Sequence, residues 1–171
     1  YENYLENLFN FSIKKEKNFI LDVGSNDGTL LKIFMRKNVK KVLGIDPAKN
    51  VVDEANKNGV KTIAGYMNKE NSKKIKSEHG AADIITANNV YAHVDNMEEI
   101  TKAIKSILKP NGLFVFEVSY LFDVIKKLSF DTIYHEHMSY HTIKPLINFF
   151  ENLDLEIFDC ERVKAQGGSI R

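Results

Sequence analysis

The sequence predicts an α/β protein with a doubly wound sheet. Three observations lead there. Apolar runs of strand length recur at Phe19–Val23, Lys41–Asp46, Gly59–Ala64, Ile84–Ala87 and Leu113–Val118. Segments with apolar residues at helical spacing separate them. The first strand passes into the next helix through a tight glycine turn, Val23-Gly24-Ser25-Asn26-Asp27-Gly28-Thr29. Five strands alternating with helices make βαβ units, whose parallel sheet is covered on both faces.

The elements follow in order. Apolar Tyr4, Leu5, Leu8 and Phe9 predict an amphipathic helix over residues 1–11, and 14–17 is a charged connection. After the first strand and its turn, Leu30, Leu31, Ile33 and Phe34 predict a helix over 29–37. A helix with Val51, Val52 and Ala55 follows the second strand, and a polar helix over 68–79 follows the third. Ile100, Ala103, Ile104, Ile107 and Leu108 mark a helix over 97–108, stopped by Lys109-Pro110-Asn111-Gly112. After the fifth strand come helices over 120–128 and 142–152 and a sixth strand over 155–163. Gly167-Gly168-Ser169-Ile170-Arg171 opens a seventh strand that is cut short.

Composition narrows the function classes. With 171 residues the chain has the length of one domain with a full core. Its net charge of +1 sets up no field directed at nucleic acid or at a membrane, so neither is an expected partner. One cysteine, Cys160, excludes a disulfide framework and a cysteine-rich zinc site within the chain. No apolar run approaches the ~20 residues of a spanning helix, and the start, Tyr1-Glu2-Asn3-Tyr4, shows no signal-peptide pattern. A cytoplasmic location is expected. The chain lacks an initiator Met and stops in an opening strand, so 1–171 is expected to be one domain of a longer polypeptide.

The glycine turn carries the first functional signal. It lacks the Gly-Lys-Ser/Thr ending of a P-loop and the Gly-x-Gly-x-x-Gly of a dinucleotide site. Its Gly24-x-x-x-Gly28 spacing encloses Asn26 and Asp27. An acidic turn repels a pyrophosphate but suits S-adenosylmethionine (SAM), which carries an ammonium, a sulfonium and no phosphate. Asp46 ends the second strand about twenty residues later, where a carboxylate can accept ribose hydroxyls. Its competing role is to cap the helix after Pro47. Asn88 and Asn89 end the fourth strand and are candidate cofactor contacts, or else satisfy loop backbone groups. Strand C-terminal ends share one side of a parallel sheet, so SAM is expected across them.

The second signal is Phe130-Asp131-Thr132-Ile133-Tyr134-His135-Glu136-His137-Met138-Ser139-Tyr140-His141, which holds three of the five histidines. From residue types alone it reads as a catalytic cluster, a metal site or surface histidines. The spacing matches no familiar metal motif, so no metal is expected.

Five pieces then fall into one pattern: residues 23–31, Gly44-Ile45-Asp46-Pro47-Ala48, Ala87-Asn88-Asn89-Val90-Tyr91-Ala92-His93-Val94, residues 130–140, and Gly167-Gly168-Ser169-Ile170-Arg171. In this order the chain resembles the central domain of the SAM-dependent sugar C-methyltransferases of deoxysugar biosynthesis, the C-3 methyltransferases among them. The resemblance implies a class I SAM-dependent methyltransferase fold, Rossmann-like and truncated at the seventh strand. It also implies an N-terminal zinc-binding domain and a C-terminal substrate domain outside these residues. The implied reaction methylates a carbon beside the ketone of a nucleotide-linked 4-keto sugar. By resemblance His137 is the base, and Tyr134, Glu136 and His93, with Asn89, orient the substrate or stabilise the enolate. An N- or O-methyltransferase and a non-catalytic SAM-binding module are the competing classes.

Overall fold

The computed structural model describes residues 2–11 and 19–171; the charged connection expected at 14–17 lies outside the described residues. The chain divides into two compact units, Tyr1–Ala87 with Lys102–Val115, and Asn88–Thr101 with Phe116–Arg171.

The first unit holds α1 (Glu2–Phe11), β1 (Phe19–Val23), α2 (Thr29–Arg36), β2 (Lys41–Asp46), α3 (Lys49–Lys57), β3 (Thr62–Ala64), α4 (Lys69–His79) and β4 (Ala82–Asn88, less its last residue). It also holds most of α5 (Met97–Ile107) and the first part of β5 (Leu108–Ser119). Its strand order is β3-β2-β1-β4-β5, with β1 parallel to β2 and β4, and β2 parallel to β3. The order therefore reverses beside β1, the topological switch at which such sheets bind ligands. All five residues of β1 and the first six of β4 are buried, as expected of strands covered on both faces.

The core explains the helix periodicities. Tyr4, Leu5 and Leu8 of α1 and Leu30, Leu31 and Phe34 of α2 pack with Ile20, Ile84, Ala55, Val60 and Leu113. Helix α4 is mostly polar and is set by its ends. The Asn68 side chain accepts from Asn71 N at 2.9 Å, and Gly80 follows the last turn at φ 83°. At the opposite sheet end from the glycine turn, buried Asp83 accepts from Phe19 N at 2.9 Å and from Lys109 Nζ at 2.7 Å.

The second unit holds the remainder of β5, α6 (Leu121–Lys126), α7 (Ile143–Glu151), β6 (Arg162–Val163) and β7 (Ser169–Ile170), in the order β5-β7-β6. Strand β7 is antiparallel to both neighbours. Arg171 donates to buried Glu117 at 2.7 Å and to Glu161 at 2.8 Å, tying the three strands together by side chains.

Three boundaries differ from expectation. The third strand begins at Thr62, not Gly59, because Gly59 (φ 79°) and Val60, whose N–H donates to Ala55 O, close the end of α3. The sixth strand is only Arg162–Val163, because β7 offers it only Ser169 and Ile170 as ladder partners; 155–161 lies outside any described strand. Strand β5 begins at Leu108 and takes in the expected stop. A turn still lies inside it: Asn111 has φ 60°, and a Cβ on Gly112 would come 2.8 Å from the Lys109 carbonyl. No helix among the described residues is long and apolar enough to cross a membrane.

Burial sets the first prediction. Phe34 is fully buried, whereas its neighbour Met35 is largely exposed. Phe34→Ala should lower unfolding free energy by about 3–5 kcal/mol, and Met35→Ala by well under ~1 kcal/mol, in urea titrations. Equal losses would mean that α2 faces the other way.

Candidate active site

In the first unit the site is built on the turn after β1. Gly24, Asn26 and Gly28 all have positive φ (69°, 50° and 77°), so the backbone curls tightly before α2. Gly24 N donates to Ile45 O at 2.8 Å, and Gly28 N to Ser25 O at 3.0 Å. Glycine is required at 28 twice over, since a Cβ there would also come 2.7 Å from Val60 Cγ1. Gly44 is a glycine for space alone: a Cβ would collide with the Ser25 hydroxyl.

Asp46 ties this turn to the end of β2. One carboxylate oxygen accepts from Asn26 N at 2.9 Å and the other from Ala48 N at 2.9 Å. The second bond closes a turn over Pro47 just ahead of α3; the N-cap position itself is Ala48, with no side-chain cap, so Asp46 does not fill the capping role expected of it. Each oxygen keeps a second lone pair, which leaves the carboxylate able to accept a pair of ribose hydroxyls. Asp27 is occupied locally. Its carboxylate accepts from the Thr29 hydroxyl at 2.8 Å and from Thr29 N at 3.0 Å, and these bonds hold it below the usual carboxylate range.

Two side chains in this unit carry signals that the sequence reading passed over. Ser25 Oγ is buried and has no hydrogen-bond partner among the described residues, an orphaned polar atom inside the turn. Asp22, in the middle strand, is pushed up to about 7 by burial, against the opposing hydrogen bond from the Thr86 hydroxyl at 2.6 Å; Asp46 adds to the rise. A lone acid in the apolar run Phe19-Ile20-Leu21-Asp22-Val23 is the sequence signal that marks it. The residues fit SAM. Asp46 has spare acceptor capacity for hydroxyls, Ser25 an unpaired hydroxyl, and Asp27 supplies an acidic group suited to a cationic ligand.

The second unit holds the histidine cluster. His137 Nδ1 lies 2.8 Å from the Thr132 carbonyl, which can only accept, so Nδ1 carries a proton and, in the neutral ring, Nε2 carries the lone pair. Tyr134 Oη is 3.3 Å from that Nε2, and the two rings are 4.4 Å apart. His93 Nδ1 is likewise pinned, 2.9 Å from the Glu136 carbonyl, and its ring centroid lies 4.9 Å from that of His137. Met138 N donates to Ala92 O at 2.8 Å, which joins the two histidine segments by backbone. Glu136 enters through its carbonyl; its exposed carboxylate is 4.0 Å from His135 Nε2. Asn89 takes φ 56° and donates its N–H to Glu117 O at 2.8 Å, while Asn88 is a half-buried strand end. Among the described residues no group of three or more His, Cys, Asp or Glu is arranged to hold a metal ion.

The comparisons with known proteins decide the family. A family model described as "Methyltransferase domain" matches residues 2–159. The chain belongs to this family. It is 36% identical over 151 residues to C-methyltransferase NovU of Streptomyces niveus, covering 88% of this chain and 36% of NovU, so it spans about a third of that relative's length. Among solved structures it is similar to the PH0226 protein of Pyrococcus horikoshii OT3, with a TM-score of 0.72 at 15% identity over 99% of this chain and 85% of that one. It is also similar to the plantazolicin methyltransferase BpumL in complex with a triazolic desmethylPZN analog and SAH. There the TM-score is 0.70 at 16% identity, over 93% of this chain and 64% of that one. The fold is that of the class I SAM-dependent methyltransferases, and the cofactor of the domain is SAM.

Two predictions follow from the turn. Asp46→Ala should weaken SAM binding by ~1.5–3 kcal/mol, roughly 10- to 150-fold in Kd by calorimetry; an unchanged Kd would remove Asp46 from the cofactor site. Asp22 predicts a pH dependence. Its folded pKa of about 7 exceeds the ordinary 3.8, so the folded state retains a proton that the unfolded state has lost. Stability from this group is therefore greatest below the unfolded value and declines as pH rises towards about 7. Asp22→Asn should abolish that decline, worth on the order of a few kcal/mol between about pH 4 and 8 in urea titrations. Parallel pH profiles for parent and variant would show that Asp22 ionises freely.

Proposed function

We propose that the protein to which this domain belongs is a SAM-dependent C-methyltransferase acting on a nucleotide-linked 4-keto deoxysugar. The observation that carries the reading is the state of His137. Its Nδ1 is committed to a backbone carbonyl, so that in the neutral ring Nε2 is the base nitrogen, beside a tyrosine hydroxyl. That is the equipment for removing a proton from a carbon acid. Transfer to a nitrogen or oxygen acceptor makes less demand on such a base. The name of the relative NovU, a C-methyltransferase, and the sequence resemblance to deoxysugar C-methyltransferases support the same class. The nucleotide-sugar substrate rests on that resemblance.

The reaction assigns each group a task. SAM, when bound, would supply an electrophilic methyl group; Gly24, Ser25, Asn26, Gly28 and Asp46 are the residues that would hold it. His137 Nε2 takes the proton from the substrate carbon next to the ketone, and the electron pair of that C–H bond moves into the enolate. Tyr134 Oη–H donates to the developing oxyanion or to His137, and the His93 imidazole, fixed by Glu136 O, presents its own Nε2 to the substrate. Fixed tautomers serve catalysis because no reorganisation is needed when charge develops. A cytoplasmic enzyme with further domains outside residues 1–171 accords with the reading.

The test separates base from cofactor. In the full-length enzyme His137→Ala should keep SAM affinity and lose ~10²–10⁴-fold in turnover. Exchange of the substrate's carbon-bound hydrogen with solvent, followed without SAM, should disappear in the variant. Exchange at the parent rate would transfer the role of base to His93.

A further inference from the structure

The tyrosine that ends the histidine segment has not entered the chemistry so far. Tyr140 Oη donates to the Thr132 carbonyl at 3.0 Å, the same oxygen that accepts from His137 Nδ1 at 2.8 Å. The Tyr140 ring also meets His137 edge-on, at 88° with centroids 6.2 Å apart. One carbonyl thus receives two donors, and one donor's residue packs against the other.

The Thr132 carbonyl lacks deep burial to hold it. It ends a short 3-10 turn, Phe130–Thr132, with no buried residue. Leu128 before it has φ 52°, and Leu128, Phe130 and Ile133 are all exposed. The bonds of the turn are local: Thr132 Oγ1 to Ser129 O at 2.7 Å and Ile133 N to Phe130 O at 3.0 Å. Few buried contacts and local bonding mark a segment of low local stability.

Tyr140 has firm neighbours instead. Ser139 Oγ donates to Tyr91 O at 3.2 Å and accepts from His141 Nε2 at 3.0 Å. His141 is buried, and its own carbonyl accepts from Leu121 N at 3.0 Å. Tyr91 is fully buried, with its hydroxyl 2.8 Å from Thr101 Oγ1. Tyr140 therefore sits between two residues tied to the interior and extends its hydroxyl to the one carbonyl that sets the tautomer of His137.

We propose that Tyr140 is a positioning residue for His137: through the Thr132 carbonyl it holds the imidazole with Nδ1 protonated and Nε2 free. This rests on His137 as the base of the proposed reaction. No bond to substrate or cofactor is involved. Tyr140 acts by keeping a half-buried carbonyl where the ring can use it, so that the base nitrogen keeps one direction and one tautomer.

The test reads the tautomer directly. Ring nitrogen-15 NMR of the chain, with His137 signals assigned by their loss in His137→Ala, should show a protonated Nδ1 and a bare Nε2 for neutral His137 in the parent. A protonated Nε2 there would overturn the proposal before any variant is made. In Tyr140→Phe the two distinct His137 signals should collapse towards the average of two exchanging tautomers. The His93 signals should stay in place, because Glu136 O holds that ring. A Tyr140→Phe spectrum equal to the parent's would refute the positioning role, as would equal loss at His93 and His137, which reports general disorder. If His137→Ala instead left substrate hydrogen exchange intact while Tyr140→Phe scrambled the tautomer, the base assignment would fall and the positioning of the ring would stand.

Discussion

The carboxylate of Asp46 is the constraint on which the cofactor end of this domain depends. It lies at the end of a buried parallel strand and accepts two backbone N–H groups, one from the turn after β1 and one from the start of α3. The turn after β1 holds its donor, Asn26, at φ 50°, a conformation that a free chain rarely visits. A charged acceptor shared by two loops joins them more strongly than two neutral side chains would. The close approach of Ser25 to Gly44, where no side chain fits, completes the arrangement. The residue expected from the sequence to accept ribose hydroxyls is thus first a structural clamp, with lone pairs to spare beyond the two backbone donors.

A related device governs the histidine cluster. Two imidazoles are each fixed through Nδ1 by a main-chain carbonyl, of Thr132 and of Glu136. A carbonyl cannot change its protonation state, so it imposes one tautomer where a carboxylate would also impose charge. Under the proposed reaction this would suit a base that must be neutral before it acts. It also explains why the Glu136 side chain can point to solvent while the residue remains part of the cluster.

How much of this was legible in the sequence varies with the physics involved. Strands β1 and β4, buried on both faces, announce themselves as largely apolar runs, and α2 and α5 by their 3.6-residue period. Positive-φ positions in the glycine turn are marked by Gly24, Asn26 and Gly28. Strand β6 was overestimated because alternation of half-buried and exposed side chains over 153–158 looks like a strand whether or not a partner pairs with it. The region around Asn111 satisfies both the turn signal and the strand that contains it. Asp22 was overlooked as an ordinary member of its apolar run, since burial and the single hydrogen bond from Thr86 act from β4, 64 residues away.

The sequence by itself determined the class of fold, the order of its elements, the SAM-type turn, Asp46 and the histidine segment, because each depends on local periodicity or on residue types at short spacing. Only the tertiary structure decided what those residues touch. It assigned Asp27 to Thr29, the Glu136 carbonyl rather than its carboxylate to His93, and one shared carbonyl to His137 and Tyr140. Backbone carbonyls and burial decide these outcomes, and neither is written in the identity of a side chain. Every residue carries the same carbonyl, and only the fold selects the one that meets an imidazole.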